Sequence, residues 1–588
     1  MRLKTLLTIA LGVLMTINSS TSNAKKTGKS PHPTPLPSGE RVKGEGELSL
    51  DRMISAADKL MRTQSLMDWN NRTKGDPVDF ESTYKGYEWL FTPEAILFVD
   101  QQMKEPGISD DEKLARSFFK AYLVMQHIGR AVVTYDDRAT NTESKTKVHV
   151  PWLEKDVAYR EIPILIAKEN DPKKRKELEA LNAQVEREKL NPIISERDAK
   201  EHELIRDLGY KSYLAFSLET RHVKDFRKMI EDANAFNNRT DDIYKKLLAA
   251  HAKEFLGMPA QEMRRSDIQK LFRLDNYVPF FPVETMIPFL KHFLLSIGFD
   301  LTTVDGHKIL LDDEQRPKKN PRAACYSITV PSDIRMTIAP QGGFGDYDPL
   351  FHETGHALHF ANTTVPQWSF KYLGDYAATE SYAGLFESRF ANPDFLRFYR
   401  DFIISWNKEH PSEKPIPVLT DKDIATIVRF SIFNDLYFMR RYGGAKLIYE
   451  SIYHGGEPKY WAGIYNGQTQ DKREVYRVLF EKAYGFPMEE IDAERYLVDI
   501  DNFLYAADYV RSFVLSSQID EALNRLFGKK WFENKKVGEF LRDKLFFAGD
   551  KFSADDVAAQ LGFSSIDFKI YEKDIRDRLS ESEKLLHR

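Results

Sequence analysis

Residues 352–356 read His-Glu-Thr-Gly-His, the pattern H-E-x-x-H. On a helix, positions i and i+4 share one face, one turn apart. His352 and His356 can therefore turn both imidazoles toward one metal ion, with the Glu353 carboxylate within reach of a water on that ion. That combination points to metal-assisted hydrolysis, with Glu353 as the base that takes the water's proton. The plain alternative is a surface helix bearing three histidines, the third being His359. His359 lies two turns from His352, too far along the axis to close the same site, and is assigned to packing.

Catalytic zinc takes three protein ligands and keeps one position open. A third histidine six residues after the second is ruled out, because that position is Asn362. The other option is a glutamate on a following helix. The segment LGDYAATESYAGLFESRF, residues 373–390, reads as such a helix and offers Glu380. Glu387, two turns further on the same face, is placed to orient a ligand histidine from behind or to face solvent.

The spacing requires a helix around 350–361, and the text supplies one. Pro349 is tolerated in a first turn, Asp346 or Asp348 can cap it, and only Gly355, at an unfixed position of the motif, weakens it. Strand-like text is confined to 307–340, in HKILLDD and AACYSITVP. Helical periodicity covers most of the rest, including 111–133 and the highly charged 171–209. Gln341-Gly342-Gly343-Phe344-Gly345 reads as a loop and not as a phosphate cradle.

Composition narrows the class. The chain has 588 residues, 42% of them apolar, enough for a large core. Its 85 basic and 89 acidic residues give a net charge of −4, which excludes a nucleic-acid partner held by charge. Residues 1–24 have a basic start, a short apolar run and a small-residue end at Ser22-Asn23-Ala24. They read as a signal peptide, so the protein is expected to be exported, periplasmic or secreted. That run is too short to span a bilayer, and no later stretch is long enough. The single cysteine, Cys325, permits no internal disulfide. The expected division is signal peptide 1–24, disordered linker 25–47, N-terminal helical part 48–300 and catalytic part 301–588. The expected fold class is mainly α with a small antiparallel sheet beside the H-E-x-x-H helix.

LFHETGHALHF followed by DYAATESYAGLFE resembles the zinc oligopeptidases of the thimet oligopeptidase and oligoendopeptidase F group, where H-E-F-G-H-A-L-H precedes a helix carrying E-x-P-S-Q-x-x-E. Glu380 falls on the ligand position and Glu387 on the second acid, while Tyr382, Ala383 and Gly384 replace the proline, serine and glutamine. RAACYSITVPSDIRMTIAP resembles the segment that precedes the zinc helix in that family, a strand edge that holds substrate backbone. FLYAADYVRSFVLSSQIDEAL, residues 503–523, is similar to the matching helix of this group and of the angiotensin-converting enzyme group. The resemblance implies a helical ellipsoidal shell around a deep channel, a zinc ion on His352, His356 and Glu380, and short peptides as substrates. It also implies a tyrosine that stabilises the oxyanion. The family's position falls on Ser512, and a family histidine falls among Ile500, Asp501 and Asn502. Tyr509 is therefore the expected donor, with Tyr505 and Tyr442 as alternatives. The competing expectation is a metal-containing peptide-binding protein that has lost efficient catalysis.

Overall fold

The computed structural model describes residues 48–587 apart from 77, 317–318, 321, 457–464 and 466–470. The expected signal peptide and linker lie outside the described residues. Helix makes up 71% of the structure and strands form only two small sheets, so the fold is mainly α. No helix among the described residues is long and apolar enough to cross a membrane.

One sheet sits where the sequence places it. Strands β3 (Leu310–Asp312), β4 (Ala324–Thr329) and β5 (Asp333–Thr337) are ordered β3-β5-β4. β4 and β5 pair antiparallel with Cys325 opposite Met336, while β3 joins β5 in parallel. The restriction of strands to 307–340 is corrected by a hairpin, β1 (Lys147–Val150) with β2 (Lys155–Ala158). Its alternation buries Val148 and Val150 and exposes Lys147 and His149, a period-2 signal only four residues long.

The motif lies on the helix Phe344–Ala361, hereafter the histidine helix. It begins earlier than expected, after Gly343 at φ 96°, a conformation that suits glycine, so Pro349 stands inside it and not in its first turn. Asp346 does not cap it. Its carboxylate accepts instead from the backbone N–H groups of Gln341 and Gly342, at 2.5 and 2.6 Å, and so fixes the loop that delivers the chain. From Leu350 to Ala361 every residue is buried.

Aromatic packing holds this helix from one side. Phe351 meets Phe289, Phe293, Phe390 and Phe395, with ring centroids 4.8–6.1 Å apart. Truncating such a ring to alanine costs about 3–5 kcal/mol. On the sheet side, the helix Leu50–Lys74 clamps β4. Arg72 donates to the carbonyl of Ala323 at 3.2 Å, the Tyr326 hydroxyl donates to Asp68 at 2.6 Å, and Trp69 meets the Tyr326 ring edge-on. The apolar core is continuous from Met53 to Leu585, so side chains from 48–300 and from 301–588 are packed together.

Candidate metal centre

Three helices meet at the motif. The glutamate helix, Tyr376–Glu387, is started by Asp375, whose carboxylate accepts from the Ala377 N–H at 3.1 Å and is gripped by both terminal nitrogens of Arg511. Arg511 belongs to the tyrosine helix, Ala506–Phe527. The histidine and glutamate helices cross almost in backbone contact at Gly355. A Cβ there would lie 2.6 Å from Ala383 Cα and 2.7 Å from the Tyr382 carbonyl oxygen. The supposedly unfixed position of the motif thus sets the separation of the two helices. At Gly384 the neighbour is a side chain of the tyrosine helix, and a Cβ would come within 2.5 Å of Ser516 Oγ.

At this crossing Nε2 of His352 and Nε2 of His356 stand 3.2 Å apart, and Glu380 Oε2 lies 3.6 and 3.8 Å from them. A point equidistant from three atoms so spaced is about 2.1 Å from each, the ligand distance of a small divalent ion such as zinc. The donor set, two imidazoles and one carboxylate, is one that suits such an ion, and the buried group can hold a metal. The surrounding shell orients it. Nδ1 of His352 is 2.9 Å from Glu387, which keeps that nitrogen protonated and Nε2 turned to the centre. Nδ1 of His356 is 3.0 Å from Thr379 Oγ1. Glu387 thus takes the orienting place allowed for it.

Burial governs the electrostatics of these side chains. Burial disfavours the charged form of His352, but the hydrogen bond and charge of Glu387, with Glu353 and Glu380, outweigh it and push His352 up to about 9. Burial raises Glu380 to about 8, opposed by His352 and a hydrogen bond from Tyr505. It drives His356 well below the usual histidine range, helped by the neighbouring His352. Glu353 is also raised by burial, against His352, Arg72 and a backbone hydrogen bond from Cys325. Its Oε1 is buried and has no hydrogen-bond partner. A buried carboxylate oxygen with no protein partner, next to a donor set that can hold a metal, is a candidate functional group.

The expected tyrosines form a chain of rings that leads away from Glu380. Tyr505 donates to Glu380 Oε1 at 2.8 Å. Tyr509 lies one ring further, 5.0 Å from Tyr505 and 5.0 Å from Tyr442, and no hydrogen bond engages its hydroxyl among the described residues. Tyr442 sits in the π-helical stretch Arg440–Lys446. Ser512 donates to the Tyr509 carbonyl of its own helix and does not reach the donor triad.

Tyr505 is aimed by a strained turn. Phe503 and Leu504 both hold positive φ, 51° and 53°, which costs a non-glycine residue about 1 kcal/mol or more each. The turn is held from outside. Arg221 donates to the Phe503 carbonyl at 2.8 Å and to Asp508 at 3.0 Å, and covers the Tyr505 ring at 4.7 Å. The Phe503 N–H donates to the Tyr213 hydroxyl at 3.0 Å. Sequence reading missed Arg221, Tyr213, Thr379 and the meaning of Gly355. None has a local signal, since each acts on a partner distant in the chain. Comparison with known proteins adds no name to this geometry: no family model matches the chain, and no curated protein matches it.

Proposed function

We propose that this chain is a zinc-dependent metallopeptidase that hydrolyses short oligopeptides. The observation that carries the reading is the buried, unpartnered oxygen of Glu353 beside the His352, His356 and Glu380 triad. When bound, zinc supplies a Lewis acid that polarises a carbonyl and acidifies water. Glu353 takes a proton at Oε1 and returns it to the leaving amine. Its raised proton affinity, which comes first from burial, suits a group that must hold that proton between two steps. Glu380 and the histidines have no proton duty. Their outer atoms are tied to Tyr505, Glu387 and Thr379, which fixes their direction.

Tyr509 is the better candidate for stabilising a developing oxyanion, because the Tyr505 proton is committed to Glu380. Substrate backbone is proposed to run along β4, whose outer edge pairs with no other strand among the described residues. The depth of the site favours extended peptides. His352, Glu353, His356 and Glu380 are at most 6% exposed, and a folded protein cannot bring a peptide bond so far inside. Export rests on the sequence of residues 1–24.

The test joins metal analysis to hydrolysis. The purified protein should hold about one zinc per chain and cleave quenched peptides, losing activity to a chelator. Glu353→Gln should keep the zinc and lose about 10²–10⁴ in kcat. Undiminished cleavage by Glu353→Gln, or rapid digestion of native folded proteins in preference to peptides, would sink the reading. Zinc and peptide binding without turnover would instead favour a peptide-binding protein.

A further inference from the structure

His359 is fully buried, and its ring is packed among Phe360, Tyr382 and Phe546. A phenylalanine would suit that environment better than an imidazole. One polar contact accounts for the ring's chemistry. Its Nδ1 is 3.0 Å from Thr379 Oγ1, the same hydroxyl that lies 3.0 Å from Nδ1 of His356. Its Nε2 has no partner at hydrogen-bond distance among the described residues, and the backbone of Gly549 acts on the ring in the direction that favours its protonated form.

A hydroxyl has one proton to give, so the two imidazoles cannot both accept from Thr379. One arrangement has His356 Nδ1–H donating to Oγ1, while the hydroxyl donates to His359 Nδ1. The opposite polarity would leave Nδ1 of His356 bare and put its proton on Nε2, the atom that faces His352 and Glu380. Only the first arrangement leaves that lone pair open to a metal. In it the buried hydroxyl still has its own proton to place, and His359 Nδ1, 3.0 Å away on a ring that burial pushes down to about 4 and so keeps neutral, is the acceptor within reach. We propose that His359 is a positioning residue that acts through Thr379, fixing the hydrogen-bond polarity of His356 and thereby the tightness of metal binding. The proposal rests on the metal-centre reading above, and carries the hydrogen-bond chain one step beyond the residues that touch the ligands.

The experiment is zinc affinity by competition with a chromogenic chelator, on the full chain, with thermal unfolding as a check of folding. His359→Phe and Thr379→Val should each weaken zinc binding by about 10- to 100-fold. The double variant should be no weaker than Thr379→Val alone, because the two lie on one path. His359→Asn, whose side-chain oxygen can occupy the place of Nδ1 as an acceptor, should recover most of the affinity, and Thr379→Ser should retain it. Wild-type affinity in a folded His359→Phe protein would overturn the proposal. So would a double variant whose loss is the product of the two single losses, or failure of His359→Asn to improve on His359→Phe. If the wild type itself binds no zinc, the metal reading falls with it; zinc in the wild type and no effect at 359 removes this inference alone.

Discussion

The histidine helix and the helix Phe226–Arg239 are built on opposite plans. In the second, Phe226, Met229, Ile230, Ala233 and Phe236 form one buried stripe, while Arg227–Glu231 and Lys228–Asp232 pair in solvent. Its surface residues are interchangeable with other polar ones, because water satisfies them. The histidine helix has no surface beyond its first turns, so each of its polar groups must find a protein or ligand partner. His352, His356 and Thr354 have them. Glu353 Oε1 and His359 Nε2 do not, which sets both apart from the satisfied groups of the helix.

The sharpest way to break that contrast is to remove a buried polar group. His352→Ala should reduce zinc from about one per chain to near none, measured by metal analysis after dialysis. Retention of zinc would show that the triad is not the ligand set. Next in size are two hydroxyls, one just before the tyrosine helix and one in its first turn. Tyr509→Phe should lower kcat by about 10²–10³ with zinc unchanged. Tyr505→Phe should instead weaken zinc by about 10-fold or more, since it frees Glu380 Oε1. The reverse pattern would exchange the two roles.

Two glycines on the histidine helix sharpen the comparison without touching a ligand. Gly355→Ala should destabilise by about 1–3 kcal/mol and weaken zinc, because backbone of the glutamate helix must move. Gly345→Ala meets nothing within 4 Å, in the exposed first turn. It should stabilise by up to about 1 kcal/mol. Equal effects in urea unfolding would refute the claim that Gly355 sets the crossing.

The pH dependence separates the metal-free from the loaded state. His352 and Glu380 rise from ordinary values of 6.5 and 4.5 to about 9 and about 8, so the folded metal-free protein binds more protons than the unfolded chain. Stability from the His352 proton is fully present below pH 6.5 and is lost as pH rises through about 9, and the Glu380 shift acts in the same direction up to about 8. Chelator-treated protein should therefore lose stability between pH 6.5 and 9, while its affinity for zinc grows as the competing proton leaves. A flat apo stability profile over that range would contradict these shifts. The smallest effect belongs to the open helix. Arg227→Ala should leave the urea unfolding midpoint unchanged within error, and a measurable loss would mean the surface pair does more than its exposure implies.

The residues that share one helix face were legible in the sequence, and those that face one another across helices were not. Five letters, His352 to His356, sufficed to place two candidate ligands and the proposed base, because i,i+4 geometry is local. Glu380 and Glu387 were read from a following helical segment and matched again by the resemblance, and the structure sets both against the histidines. Periodicity identified the helix 111–133 and the strands around Cys325, yet passed over β1 and β2, whose four-residue lengths leave little pattern to read. Thr379 adjoins Glu380 in the chain but meets His356 only because Gly355 lets two helices touch. His359 looks like packing from its position, and only the shared hydroxyl shows otherwise. Tyr505 and Tyr509 are equivalent in the sequence. They part company at a turn whose left-handed residues, Phe503 and Leu504, carry no glycine to announce it.

That turn also has a consequence in time. Arg221 and Phe503 are 282 residues apart. At a synthesis rate of about 5–20 residues per second, the guanidinium waits on the order of 15–60 s for the carbonyl it will hold. A charge that ends almost fully buried has to remain hydrated through that interval, so the helices around it cannot close until the C-terminal part arrives. Assembly of the metal centre is therefore expected to be a late event. Nascent chains halted before residue 500 should stay open to protease near Arg221, and protection there at that length would show that the early helices close without their partner.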